Sequence, residues 1–216
     1  MADVSAPANR LAFSGGMMEQ RSPEWYAARL GLVTGSAISN VLMDSSKAGY
    51  RNYQAQLVCE RLTGEPTETY VSSAMQHGID TEDEARAAYM ARNAVIVDQT
   101  GFIRHPKLEA GCSPDGLVGE DGLIEIKCVQ PATALDLLES KKVPTDHYNQ
   151  IQWQLAVTGR DWCDYVVYQP KLPERLRVNV IRVVRNQADI LNMTEKVEKF
   201  LEEVRRKTKA LKEMTL

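Results

Sequence analysis

The chain has 216 residues, 44% hydrophobic and 25% charged, which is ordinary for a globular protein and enough for one well-packed domain. No apolar run approaches the roughly 20 residues that cross a bilayer as a helix. A formal net charge of −3 and a pI near 5.7 argue against a protein that coats nucleic acid through bulk charge, but leave room for an enzyme with a local basic lining.

Met1 to Gly16 is rich in Ala, Ser, Pro and Gly and lacks the basic start and apolar core of a secretory signal, so residues 1–16 are expected to form a flexible arm. Ser22-Pro23 opens the first predicted helix, with Ser as cap and Pro at the first helical position. Trp25, Ala28 and Arg29 share one side of it, and Gly31 ends it. Thr34-Gly35-Ser36 precedes a second helix start at Ala37. Hydroxyls and backbone N–H groups at such a start, with Arg29 nearby, can hold an anion; ordinary capping, with Arg29 in a surface ion pair, explains the same residues.

Tyr50 to Leu62 and Ser72 to Arg92 are predicted helices, the first stopped by Gly64. Glu82 lies in the second; it is either turned toward a site or exposed and paired with Arg86 at i+4. Ala94–Val97 and Gly101–Arg104 are short β-branched runs that read as a strand pair, continued by Gly111-Cys112-Ser113. Ser113-Pro114-Asp115-Gly116 then opens a predicted hairpin. Its outgoing strand is Asp115–Val118, its turn Glu120-Asp121-Gly122, and its return Leu123–Cys128. Helices are predicted over Pro131–Ser140 and Thr145–Thr158, strands over Trp162–Tyr168 and Leu176–Val184, and a long final helix from Asn186. Its apolar positions include Ile190, Met193, Val197, Val204 and Leu211. This order predicts a largely antiparallel sheet with helices on its faces.

The hairpin carries the chemistry. Side chains alternate along a strand, so Glu125 and Lys127 share one face, and the hairpin brings Asp115 near them. Hard divalent cations take one or two carboxylates plus waters and phosphate oxygens, and a lysine beside them can orient a water. An ordinary surface Glu–Lys pair fits the same spacing. Cys59, Cys112, Cys128 and Cys163 form no C-x-x-C pair, and His77, His105 and His147 are isolated, which argues against a zinc site. Scattered free cysteines suit a reducing cytoplasm.

Pro114-Asp115 with Glu125-Ile126-Lys127 resembles the signature of the PD-(D/E)xK nuclease superfamily. Trp25–Gly31 with Thr34-Gly35-Ser36, then Gly78-Ile79-Asp80-Thr81-Glu82, then Gln150-Ile151-Gln152-Trp153, extend the resemblance to the lambda exonuclease (YqaJ-type viral recombinase) family over roughly residues 22–168. The scattered cysteines do not match the iron–sulfur nucleases of the superfamily.

The resemblance implies an α/β (α+β) domain over 17–216 with a restriction-endonuclease-like core, a central mixed β-sheet flanked by helices. It implies a Mg²⁺-dependent 5′→3′ exonuclease on linear double-stranded DNA that releases mononucleotides and leaves a 3′ single strand for recombination by strand annealing. In that assignment Asp115, Glu125 and the Ile126 carbonyl hold metal, with two Mg²⁺ ions expected and Mn²⁺ an alternative. Glu82 orients a metal-bound water, Lys127 positions or activates the nucleophile, and Gln150 holds the water or the scissile phosphate. Arg29, Thr34 and Ser36, with Ser113, bind the 5′-phosphate, and Trp25 contacts terminal nucleotides. A homotrimer ring, a single-strand annealing protein as partner, and a phage or prophage protein in a bacterial cytoplasm are also implied. An endonuclease of the same superfamily, or a non-catalytic DNA-binding or assembly protein on this fold, are the alternatives.

Overall fold

The computed structural model describes residues 18–67 and 73–214; the expected arm at 1–16 lies outside them. Helix α1 (Pro23–Arg29) starts where the Ser22 side chain accepts the Trp25 N–H at 3.2 Å, and the chain turns away at Gly31, whose φ of +66° favours glycine. Strand β1 (Val33–Thr34) and a 3-10 turn at Gly35–Ala37 lead into the short α2 (Ile38–Leu42). Helices α3 (Ala48–Thr63) and α4 (Ser73–Asn93) follow. After them come β2 (Val97–Asp98), β3 (Ile103–Arg104) and β4 (Ala110–Cys112), then the hairpin of β5 (Gly116–Val118) and β6 (Gly122–Cys128). Two helices, α5 (Pro131–Ser140) and α6 (Thr145–Thr158), precede β7 (Trp162–Tyr168). A single helical turn, α7 (Glu174–Arg177), leads into β8 (Val178–Val184). The Asn186 side chain caps the last helix, α8 (Gln187–Lys212), accepting the Ala188 and Asp189 N–H groups.

The main sheet has the order β2-β5-β6-β7-β8. It is antiparallel except at its centre, where β6 and β7 run parallel and are joined by the α5–α6 crossover that a parallel pair requires. The sheet is therefore mixed, as the family resemblance implies, rather than the largely antiparallel set that strand order alone suggests. The predicted partnership of the 94–97 and 101–104 runs is also corrected. Strand β2 pairs with β5 in the main sheet, whereas β3 pairs with β4 in a separate three-stranded sheet of order β1-β4-β3.

Alternation along β6 sorts its residues between two cores. Leu123 packs with Leu137, Ile151, Leu155 and Tyr165 beneath α5 and α6. Ile124 and Ile126 pack with Ala85 and Tyr89 of α4. A third core lies between α2, α3, α6 and α8, around Trp153, Phe200, Leu57 and Val197. Helix α6 sits where the cores meet: Ile151 and Leu155 serve one, Trp153 and Val157 another. Removing a side chain like Trp153, which has no exposed surface, costs about 3–5 kcal/mol. On α8 the periodic residues from Ile190 to Val204 are buried, but Leu211 is 47% exposed, so the apolar stripe ends earlier than its spacing predicts.

Candidate active site

Asp115 lies at the entrance to β5. Pairing of β5 with β6 begins only at Gly116 opposite Ile124, so beyond that point β6 has an open edge. There the Asp115 Oδ2 accepts the Ile126 N–H at 2.6 Å. Because the N–H and C=O of one strand residue project to the same edge, the Ile126 carbonyl opens beside Asp115 as well. One residue earlier, Glu125 faces α6 and is only 2% exposed. Its Oε1 accepts Lys127 Nζ at 2.7 Å and Gln150 Nε2 at 2.6 Å, and its Oε2 accepts Gln154 Nε2 at 2.6 Å.

Gln150 and Gln154 stand one turn apart on α6, which is why both reach the same carboxylate. Gln152 faces away and bonds the Val184 carbonyl and the Asn186 N–H, so it ties α6 to the start of α8. Glu82 approaches from α4. Its Oε1 accepts Arg86 and its Oε2 accepts Arg21, both at 2.7 Å. The pairing with Arg86 is thus present, but it is not the exposed helix pair that the spacing permits: the Glu82 side chain is 14% exposed and that of Arg86 9%.

The candidate phosphate pocket forms around α1. The Arg29 guanidinium lies 3.6 Å from the centre of the Trp25 ring, and Trp25 Nε1 donates to Ser113 Oγ at 2.9 Å. Trp25 is buried, while its neighbour Tyr26 is half exposed. Thr34 precedes the 3-10 turn without using its side chain as a cap, and its N–H donates to the Tyr53 hydroxyl at 3.0 Å. Among the described residues no carboxylate forms an ion pair with Arg29, so the surface ion pair is absent there. Burial holds its pKa below the usual value, against the opposing influence of Tyr53, Tyr26 and Glu60.

Every residue singled out above for the metal, water and phosphate roles lines one cleft of about 650 Å³. Gln20, Arg21, Tyr26, Phe102, His147 and Gln154 line it too, without having been singled out. Gln154 was legible, one turn beyond Gln150. Gln20 and Arg21 precede the first helix and carry no pattern that marks them. His147 bonds the Tyr165 hydroxyl through Nδ1 at 2.7 Å. Burial lowers the His147 pKa, with Lys127 adding to the effect, and burial pushes the Tyr165 hydroxyl up to about 12.

The electrostatics are those of crowded acids. Burial raises the Asp115 carboxyl well above the usual carboxylate range, and the Glu125 and Glu82 charges raise it further against Lys127 and the Ile126 N–H. Burial alone would lower the Lys127 ammonium; the Glu125 and Asp115 charges outweigh it, so the group is held above its ordinary value. Among the described residues no three His, Cys, Asp or Glu side chains form a ligand cluster by themselves. The available donors are the buried Glu125 carboxylate, the partly buried Asp115 carboxylate and a strand-edge carbonyl. Such hard oxygens fit Mg²⁺, which binds through few protein ligands and keeps several waters. A divalent cation there would relieve the repulsion that raises Asp115.

Fold and cleft together define a mixed α/β domain, its mixed sheet flanked by helices, of the kind found in the exonucleases it resembles. The YqaJ-like viral recombinase domain matches residues 24–161, and the chain belongs to this family. The crystal structure of an alkaline exonuclease, LHK-Exo, from Laribacter hongkongensis is similar with a TM-score of 0.84 and 41% identity, over 88% of this chain and 96% of that one. The same protein in complex with dAMP gives a TM-score of 0.83 at 40% identity, over the same shares of the two chains. A phage-related exonuclease from Haemophilus somnus 129PT shares the fold with a TM-score of 0.68 at 13% identity, over 85% of this chain and 96% of that one. No curated protein matches. Among the described residues no helix is long and apolar enough to cross a membrane.

Proposed function

We propose that the protein is a Mg²⁺-dependent 5′→3′ exonuclease that digests one strand of linear double-stranded DNA to mononucleotides. One observation carries the reading: the Asp115–Glu125 acid pair with Lys127, and Arg29, free of carboxylate partners among the described residues, line the same cleft. Membership of a viral recombinase family and the likeness to an alkaline exonuclease support it, and a relative that binds dAMP fits release of a nucleoside monophosphate.

Asp115, Glu125 and the Ile126 carbonyl would hold the metal, with two Mg²⁺ ions or Mn²⁺ in their place. When bound, the metal lowers the pKa of its water and screens the phosphodiester charge. The chain's own groups do the rest. Gln150 and Gln154 fix the Glu125 carboxylate. Lys127 orients the attacking water, and Glu82 holds a second side of it. As the water oxygen bonds to phosphorus it gives up a proton to solvent, the P–O3′ bond breaks, and the departing 3′-oxygen takes a proton from solvent. The next nucleotide keeps a 5′-phosphate. Arg29, Thr34 and Ser36, with Ser113, take that phosphate and set the next linkage against the acids, and Trp25 lies beneath Arg29 where the terminal nucleotides would enter. The remaining 3′ strand would pass to a single-strand annealing protein, and a homotrimer ring would hold the enzyme on its track. A phage or prophage recombination system acting in a bacterial cytoplasm is the setting this activity fits.

The test is cleavage of linear duplex with Mg²⁺, comparing 5′-phosphate with 5′-hydroxyl ends, with closed circular DNA and Asp115→Ala as controls. Rapid loss of the 5′-phosphorylated strand, abolished by Asp115→Ala, is expected. Equal attack on both ends removes the phosphate pocket; nicking of circles makes the protein an endonuclease; no cleavage by folded protein leaves a binding or assembly role.

A further inference from the structure

Behind Glu82 a second cavity, of about 430 Å³, shares Gln20, Arg21, Glu82 and Asp115 with the cleft and is bordered by Arg86 and Asp83. No role assigned so far uses Arg86. Its guanidinium bonds in three directions. Nη2 donates to Glu82 Oε1 at 2.7 Å, Nη1 to Asp83 Oδ1 at 2.5 Å, and Nε to the backbone carbonyl of Asp115 at 3.2 Å. Only the Asp83 arm faces solvent, since that side chain is 90% exposed.

A helix-surface pair would end at Glu82. The third bond reaches across to another element, the turn that carries Asp115. Ala85 and Tyr89 lie on the same helix face and pack against Ile124 and Ile126 of β6. The fork of Arg86 is therefore fixed relative to the strand that presents Glu125 and the Ile126 carbonyl. Its planar geometry lets one side chain hold a carboxylate and a carbonyl at once, which a lysine cannot reproduce. Arg21 holds the other oxygen of Glu82 differently, through one bond from a side chain 39% exposed, so it can exchange for a water or a phosphate.

We propose that Arg86 is a positioning residue for the acidic centre: it ties Glu82 on α4 to the Asp115 turn and offsets the Glu82 charge, so that the carboxylates are set to receive a divalent cation. The inference rests on the metal-dependent reading above and adds the residue that assembles the site.

The experiment is calorimetric titration of the chelator-stripped protein with Mn²⁺ alone, without DNA, for the parent, Arg86→Gln, Arg86→Lys, Glu82→Gln and the double variant Glu82→Gln/Arg86→Gln. Groups that orient metal ligands change affinity by about tenfold or more when removed. Arg86→Gln is expected to weaken Mn²⁺ binding by at least that factor and to raise the metal concentration for half-maximal cleavage in parallel. Arg86→Lys should recover only part. The two single losses should not add, because both break one linkage. Affinity within twofold of the parent in folded Arg86→Gln, or additive losses, overturns the proposal. Should Arg86→Gln fail to fold, Arg86→Lys decides it, and parent-like affinity there overturns it. A parent that binds no Mn²⁺ removes the metal-dependent reading itself, which separates that failure from a failure of Arg86 alone.

Discussion

Asp115 shows how a side chain suited to metal chemistry weakens the fold around it. It is a partly buried carboxylate beside two other acids, and the same forces that raise its pKa disfavour the folded state once it is charged. The sign follows from linkage. A carboxyl whose folded pKa exceeds its unfolded value contributes stability below the unfolded pKa, and loses it as pH rises through the folded one. Asp115→Asn mimics the protonated form and keeps an oxygen for the Ile126 N–H. In metal-free protein it is expected to raise the melting temperature at neutral pH, with the gain closing as the pH falls from the raised folded pKa down to the ordinary carboxylate range, while cleavage is lost. Thermal melts across pH check this; an unchanged or lower melting temperature at neutral pH would contradict it. Lys127 is the counterpart. Its ammonium compensates Glu125 and Asp115, so Lys127→Ala leaves that charge unbalanced and removes the proposed water-orienting group.

At the scale of elements, α3 acts as a clamp on the turn between α1 and β1. Glu60 Oε2 accepts the Gly31 N–H at 2.8 Å, Arg61 Nε donates to the Gly31 carbonyl at 2.8 Å, and the Tyr53 hydroxyl accepts the Thr34 N–H. A side chain at Gly31 would meet Arg61, and its φ is positive besides, so this turn is built for glycine. Tyr53→Phe removes one hydroxyl at the proposed phosphate pocket and strands the Thr34 N–H. It is expected to cost about 1–3 kcal/mol of stability and to narrow the rate difference between 5′-phosphate and 5′-hydroxyl ends, measured by chemical denaturation and end-labelled cleavage. An unchanged ratio of the two rates would show that α3 supports the fold and not the pocket. The helices that hold this arrangement were readable from sequence because punctuation bounds them: Pro131 starts α5, and Gly64 and Gly159 end α3 and α6 in left-handed conformations. The pairing of β2 and β3 was not. Each strand is two residues long, too short for alternation to mark a face, and its partner is set by distant β5 and β4.

Across the whole molecule, the sequence made the hairpin acids and the Arg29 turn legible because strand alternation and helix starts are local patterns. It did not reveal Arg21 or Arg86 as members of the centre, since only folding brings residues 21, 82, 86 and 115 together. The same scale raises the question of how such a chain would stay on DNA. Its net charge is −3, and part of its basic C-terminal helix is engaged within the fold: Arg205 pairs with Glu109 at 2.8 Å, and Lys207 bonds Gln54. A protein that holds DNA by phosphate neutralisation loses affinity steeply with salt, and a net charge of −3 supplies no bulk attraction of that kind. The proposed ring replaces charge by topology, and three copies of one chain close a ring through a repeated heterologous contact. Light scattering is expected to give about three times the 24.2 kDa chain mass. Digestion under way should continue through excess unlabelled duplex or a rise in salt, although either should block new starts. A monomeric mass together with immediate arrest by competitor would remove the ring, leaving the cleft to act distributively, with each mononucleotide released in a separate encounter.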